Sequence, residues 1–332
     1  MIFKNNPTRR EWLGATLAVA AASALPLNAW AQRKYPQQPV KLIVPFAAAG
    51  AIDNITRTVA QQMSRELQQS VVVENRAGAA GNIGAAAVAR AQPDGYTLLV
   101  GTSATHGANP SLFNKPGYDA FNDFEPIAYF GSVPNVLVVH PQKGPRNVAE
   151  LVARAKAEPG KLTYASAGLG TSLHLAGVMF ERASGVQLTH VPYKGGAPAS
   201  VDLMGGVVDM MFDTVAVSLP LVQSGKTRAL AVASAERHPS LPEVPTFAEL
   251  GFKGVEAGTW AGLFAPKGTP ADVVAELRRA SDAALADNGV RTSLRGMGVQ
   301  TVSRSGPAFR EFVQEEIRKN AQLVKAAKIS PE

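Results

Sequence analysis

The residue types that perform chemistry are present in this sequence, but their spacing suits none of the familiar reaction centres. Cysteine is absent, which removes thiol nucleophiles and disulfide bonds together. The five histidines, His106, His140, His174, His190 and His238, show no paired metal-ligand spacing, so no metal site is expected. No G-x-S-x-G elbow occurs, and Gly101-Thr102-Ser103-Ala104-Thr105 lacks the closing glycine that such a turn requires. Gly168-Leu169-Gly170 is followed by Leu173 where a dinucleotide fingerprint needs glycine, and Ser224-Gly225-Lys226-Thr227 has Pro220 at the first glycine of a phosphate loop. The carboxylates form no evident acid–base pair. Asp53 stands at a helix start and reads as a cap, while Asp213-Thr214 follows a strand end, where it would meet a ligand's polar tail or satisfy a turn. No cofactor is implied. This elimination leaves binding without turnover, with an exported hydrolase assembled from distant residues as the alternative.

What the sequence offers instead is backbone. Pro45-Phe46-Ala47-Ala48-Ala49-Gly50-Ala51-Ile52-Asp53 has almost no side chain, and segments 76–84 and 166–172 repeat the design. Each lies between the carboxyl end of a strand and the first turn of a helix. Backbone N–H groups of a first helical turn have no internal partner, and the helix dipole adds partial positive charge there. Small residues let an anion approach those amides, at the strand ends where open α/β sheets bind their ligands. One such loop would be an ordinary tight connection; three in one chain point to a site. Thr102, Ser103, Ser166, Thr171 and Ser172 would add hydroxyl donors, with capping as their other role. His174 falls in the first turn of the third helix, facing either the cleft or the packing.

The elements that must hold these loops follow from periodicity. Val40 to Val44 reads as a strand, and Asp53 to Leu67 as a helix with Ile55, Val59, Met63 and Leu67 along one face. Val71 to Val73 is a strand, Ala85 to Ala91 a short helix ended by Pro93-Asp94-Gly95, and Tyr96 to Val100 another strand. Leu162 to Ala165, a helix capped by Thr171 or Ser172 and ended by Gly185, and strands at Leu188 to Pro192 and Val207 to Phe212 form a second series. Thr259 to Phe264 is a further strand, and helices near Asp272 to Leu285 and Ala308 to Ala326 close the chain. This alternation predicts α/β layers with a largely parallel sheet.

Residues 1–31 stand apart as an export signal: a basic start at Lys4, Arg9 and Arg10, an alanine-rich apolar stretch, and a small-x-small site at Ala29-Trp30-Ala31. Thr8 to Leu13 is similar to a twin-arginine pattern, with Trp12 where Phe is usual. Cleavage after Ala31 leaves about 300 residues, enough for two lobes. An exported chain without disulfides fits the periplasm. The formal charge falls from +7 to roughly +5, and the remaining cations are scattered beside Glu276, Glu315 and Glu316, so no nucleic-acid partner is expected.

Several ordered motifs carry a resemblance that spans about Tyr35 to Ile329. They include PFAAAGAID, VVVENRAGAAGNIGAAAVARAQPDGYTLLVGTS, GSVPNVLVV, YASAGLGTSLHLAG, HVPYKGGAPA, DMMFDT, LPEVPTFAE and WAGLFAPKGTP. The chain resembles the receptors of tripartite tricarboxylate transporters, the TctC-like or Bug-type periplasmic solute-binding proteins. The resemblance implies an α/β, two-lobed periplasmic-binding-protein fold of type II-like form, its lobes joined by two crossing strands. Lobe one would comprise 32–132 and 258–332, and lobe two 133–257. It implies a monomer that is not an enzyme, holds a small organic carboxylate in the interlobe cleft, and serves membrane permease subunits or a sensor. The carboxylate would be a dicarboxylate, a tricarboxylate, an acidic amino acid or an aromatic acid.

The resemblance also implies that the first two small-residue loops grip the carboxylate through backbone amides and ordered water. That selects Phe46, Ala48, Ala49, Gly50 and Asp53 from the first loop and Ala79, Gly81 and Asn82 from the second. The second lobe would contribute Ser166, Ala167, Gly170, Thr171, Ser172 and His174, together with Asp213 and Thr214, with Thr102 and Ser103 facing them. Phe46, Tyr193 and Trp260 would be aromatic walls or core. Ala48 and Ala49 occupy places where the family usually has Pro and Gly, and Ala77 and Ala80 replace a Pro and a Gly in the second loop. A positive φ at position 49 would strain alanine, which gives the loop reason to take another path.

Overall fold

The structure, a computed structural model, describes residues 35–327 and 329. The export signal expected over 1–31 lies outside the described residues.

Strand β1 (Val40–Val44) leads into helix α1 (Ala51–Leu67), strand β2 (Val71–Asn75), helix α2 (Asn82–Ala89) and strand β3 (Thr97–Thr102). The face predicted for α1 is the one it buries: Ile55, Val59, Met63 and Leu67 all lie in the core. Burying each such side chain is worth about 1.5–3 kcal/mol, which outweighs the modest helix propensity of this threonine-containing segment. The helix begins at Ala51, two residues before the predicted start, because Gly50 supplies the extended N-cap backbone. Helix α2 begins at Asn82 and not at Ala85, following a 3₁₀ turn at Ala79–Gly81 whose last residue, Gly81, is left-handed at φ 93°. Strand β1 pairs in parallel with both β2 and β3.

A π-helical turn (Ala104–Ala108) and the short helix α3 (Asn109–Leu112) lead to the sixteen-residue strand β4 (Phe124–Val139). Then follow α4 (Val148–Ala157), β5 (Thr163–Ser166), α5 (Ser172–Ser184), β6 (Thr189–Pro192), α6 (Gly196–Gly205), β7 (Met210–Thr214), α7 (Val215–Gln223) and β8 (Arg228–Val232). The chain closes with β9 (Gly258–Pro266), α8 (Ala271–Ala286), α9 (Asn288–Gly296) and α10 (Gly306–Ala327). Strand β7 sits later than expected: Gly205-Gly206-Val207 makes a turn, and Val207 is 69% exposed.

Long strand β4 unites the two halves. Its residues Phe124 to Pro134 pair with β9, and from Asn135 to Val139 it changes partners to β7 and β8. Pro134 has no N–H to continue the first ladder, and two register shifts bend the strand before it. The result is a first group in the order β2-β1-β3-β9-β4 and a second in the order β4-β7-β5-β6, with β8 on the other side of β4. The expectation of a largely parallel sheet is corrected here. Among the described residues four strand pairs are parallel, but β3–β9, β4–β9, β4–β7 and β4–β8 are antiparallel. The parallel βαβ units were legible; the returning strands that join them carry no local sign of direction.

The first half packs Phe124, Tyr129, Trp260, Phe264 and Phe309 in one cluster, so Trp260 is core, with its indole N–H donated to Glu316. A separate apolar contact joins the halves, with Leu175 of α5 against Leu112, Ala108 and Val324.

Candidate functional site

Four helices aim their first turns at one cavity of about 50 Å³ between the halves. Gly50 to Asp53 at the start of α1, Thr171 to Leu173 at the start of α5, Gly195 and Gly196 at the start of α6, and Thr214 at the start of α7 all line it. At roughly 10–15 Å³ per water centre, this volume suits only a compact guest. Helices α1, α6 and α7 have no side-chain cap on their first-turn N–H groups, because Gly50 and Gly195 have no side chain and Thr214 does not turn back to cap. Helix α5 differs: Thr171 accepts the His174 N–H and donates to the Gly168 carbonyl. Uncapped N–H groups and dipole ends thus supply positive potential to a cavity whose lining, among the described residues, includes no Lys, Arg or His. Thr214 is 3% exposed, and its hydroxyl has no hydrogen-bond partner among the described residues. A buried unpartnered hydroxyl costs about 1–3 kcal/mol, an arrangement that a ligand would relieve.

Two carboxylates reach the cavity, in contrasting states. Burial alone would raise the Asp53 carboxyl, but hydrogen bonds from Arg57, the Ala49 N–H and Asn75 hold it below the usual range. Its Oδ2 accepts from Ala49 N–H and Arg57 Nε, both at 2.9 Å, and its Oδ1 from Asn75 Nδ2 at 2.9 Å. Asn75 also donates to the Phe46 carbonyl, so Asp53 and Asn75 together pin the loop. Among the described residues Asp213 has no cationic partner. Burial pushes its carboxyl up to about 6, against hydrogen bonds from Ser218, the Thr214 N–H and Ser200.

The lobes meet closely here. The Ala47 N–H donates to the Lys194 carbonyl at 3.2 Å, and a Cβ on Gly195 would lie 2.9 Å from that of Ala47. The hydroxyls of Ser172 and Thr259 touch, and Ser172 also reaches Asn135 Oδ1 where β4 changes partners.

Of the candidate residues, Phe46, Gly50, Asp53, Thr102, Ser103, Ala167, Thr171, Ser172, Asp213 and Thr214 come together on the cavity. Ala48 and Ala49 do not line it; both are exposed, and the Ala49 N–H is already taken by Asp53. The loop does not avoid the strained conformation: Ala49 sits at φ 62°, and Ala79 and Ala80 at 46° and 54°. Ala79 is exposed and does not line the cavity, and Gly81 and Asn82 lie behind the lining. A Cβ on Gly81 would press on Thr105 and on the Phe46 ring, while Asn82 Oδ1 accepts from Asn109 and Tyr118.

Ser166 is a turn residue, its hydroxyl bonded to Gly168 and His190. Gly170 is small because a Cβ there would come 2.7 Å from Leu112. Burial and the neighbouring His190 push His174 down to about 3, and its Nδ1 accepts from the Gly170 N–H. Tyr193 turns away to donate to Asp202 at 2.6 Å. The lining residues overlooked in the sequence include Leu173, Gly195, Gly196 and Thr259. Gly195-Gly196 carried the same small-residue signal before a helix as the other loops. Nothing local marks Thr259.

The fold and chain agree with known periplasmic proteins. The structure of the periplasmic binding protein BugD superposes with a TM-score of 0.87 at 40% identity, covering 90% of this chain and all of that one. MatC from Rhodopseudomonas palustris, solved with malate, gives 0.84 at 36% identity, with 87% and 100% covered. A second R. palustris protein, solved with adipate, gives 0.87 at 36%, with 90% and 100% covered. Residues 55–329 match the tripartite tricarboxylate transporter family receptor. The chain belongs to that family of periplasmic solute-binding receptors and has its two-lobed fold.

Proposed function

We propose that this protein is a periplasmic receptor that closes its lobes on a small organic carboxylate and delivers it to the membrane permease subunits of a tripartite tricarboxylate-type transporter. The observation that carries this reading is the convergence of uncapped helix N-termini on one cavity that, among the described residues, is lined by no cationic side chain. The carboxylate would sit on first-turn N–H groups of α1 and its partners across the cleft. Hydroxyls of Ser103, Ser172 and Thr214 would complete its shell, and Phe46 would form a wall. The second small-residue loop would act indirectly by backing Phe46. Malate and adipate, the ligands of two relatives, share a terminal carboxylate and differ in what else they carry. We extend the reading to a signal peptide cleaved after Ala31, and to lobes of 32–132 with 258–332 and of 133–257.

The test is a thermal-shift screen of the mature protein against short carboxylic acids, followed by calorimetric titration of each hit. A ligand at about a hundred times its Kd raises stability by about 2.7 kcal/mol. Mass spectrometry after incubation should return the ligand unchanged. Failure of every acid to shift the melt, or accumulation of a product, would defeat the proposal.

A further inference from the structure

Asp213 is the feature that carboxylate binding leaves unexplained. It ends β7, is 1% exposed, and lines the cavity beside the helix N-termini. An ionised carboxylate offers about four lone-pair sites. Oδ1 accepts from the Thr214 N–H at 2.8 Å and Oδ2 from the Ser218 hydroxyl at 2.8 Å. The Ser200 hydroxyl lies 3.4 Å from Oδ2 and 3.1 Å from the Gly196 carbonyl. Oδ1 therefore keeps one acceptor site. A Cβ at position 196 would come 3.3 Å from that oxygen, so glycine there keeps the approach from the cavity open. Beside it stands the Thr214 hydroxyl, buried and without a partner among the described residues. A ligand that put a second carboxylate here would set two anions against each other out of water, with no cationic side chain in the lining to separate them.

We infer that this receptor selects small acids that carry a hydrogen-bond donor, an ammonium or a hydroxyl group, close to the bound carboxylate, with Asp213 Oδ1 accepting that hydrogen. The inference rests on the carboxylate-receptor reading of the same cavity. Asp213 is then the specificity determinant, and the helix N-termini hold what all ligands share. The unsubstituted acid of equal length leaves Asp213 buried and unanswered. The expected preference is about 10- to 100-fold, the value of one hydrogen bond to a buried charge.

The experiment titrates matched acids calorimetrically: propionate, lactate and alanine; succinate, malate and aspartate; glutarate, 2-hydroxyglutarate and glutamate. The inference expects the donor-bearing members of the fitting set to bind more tightly than the unsubstituted acid. Within that set, the tighter of the amino and hydroxy acids identifies the donor. Asp213→Asn should collapse the ratio toward unity. Should that variant fail to fold, Gly196→Ala, whose Cβ would come 3.3 Å from Asp213 Oδ1 and obstruct the donor's approach, should shrink the ratio severalfold. An unsubstituted acid that binds as tightly as its substituted relatives would overturn the inference and leave the receptor reading standing. Binding of no carboxylate at all would overturn both.

Discussion

Replacing Gly195 with alanine inserts a methyl group between the lobes at the point where they close. The new Cβ would meet the Ala47 Cβ at 2.9 Å and the Ala47 nitrogen at 3.2 Å. Carbon atoms prefer about 3.5–4.0 Å, so the lobes must part by roughly half to one ångström here. That movement breaks the Ala47 N–H to Lys194 carbonyl bond, already 3.2 Å long. Losing it costs about 0.5–1.5 kcal/mol, and the overpacking about 1–3 kcal/mol. Both costs fall on the closed form, so affinity should weaken by about 10- to 1,000-fold while the ligand-free melt barely moves. Gly195 has an extended backbone (φ 162°), so alanine there brings no conformational penalty of its own. The assay is calorimetric titration with the best carboxylate of the screen, beside melting of the ligand-free protein. Ala47→Gly in the same background removes one side of the clash and should recover part of the affinity. A well-folded Gly195→Ala variant with wild-type affinity would show that closure does not bring these two residues together, and would refute the reasoning.

Ala49→Gly should raise the melting temperature, because left-handed alanine costs about 1–2 kcal/mol and the added unfolded-state freedom returns only about 0.4–1 kcal/mol of it; a lowered melt would contradict the φ of 62°. Asp53→Asn should cost about 1–3 kcal/mol in urea denaturation and weaken binding, since it disturbs the bonds to Ala49, Arg57 and Asn75 that hold the first loop. Because the folded Asp53 pKa lies below its ordinary value, its contribution is present above about pH 4 and is lost as pH falls through the lowered value. His106 and His174 are both pushed down to about 3 by burial, His174 also by His190, so the stability of their neutral forms is complete above about pH 6.5 and drains away toward pH 3. Each should remove about 1 kcal/mol per pH unit, while Asp213, raised to about 6, returns a similar amount as pH falls from about 6 to about 4. Urea midpoints should therefore decline from neutrality to about pH 5, and a flat profile would contradict two buried neutral histidines.

Local features of this protein can be read in its residues because nearest neighbours impose them. The four-residue spacing of Ile55, Val59, Met63 and Leu67 specifies which side of α1 is buried wherever the helix packs. Thr171 caps α5 with a hydroxyl three residues from the N–H it accepts, and Gly185 ends that helix in the left-handed conformation. The small-residue runs announce backbone open to an anion, and two of the three reach the cavity. The Gly195-Gly196 pair was equally legible, and its place on the cavity came from the same physics.

Long-range pairing accounts for the rest. Gly50, Ser172, Gly196 and Thr214 are far apart in the chain, and they converge because β4 leaves β9 at Pro134 and takes β7 and β8 as partners. No residue near Pro134 states which strands those will be. The second loop lies behind Phe46, with Gly81 against Thr105 of the π-helical turn, a contact between distant parts of the chain that the loop's composition does not announce. Asp213 shows the division most sharply. Its type and its place after a strand were visible from the start, but its burial, its one open acceptor site and the lack of any cation beside it exist only once four helices have closed around it. Side-chain chemistry is a property of the residue; its dielectric surroundings and its partners belong to the assembled fold.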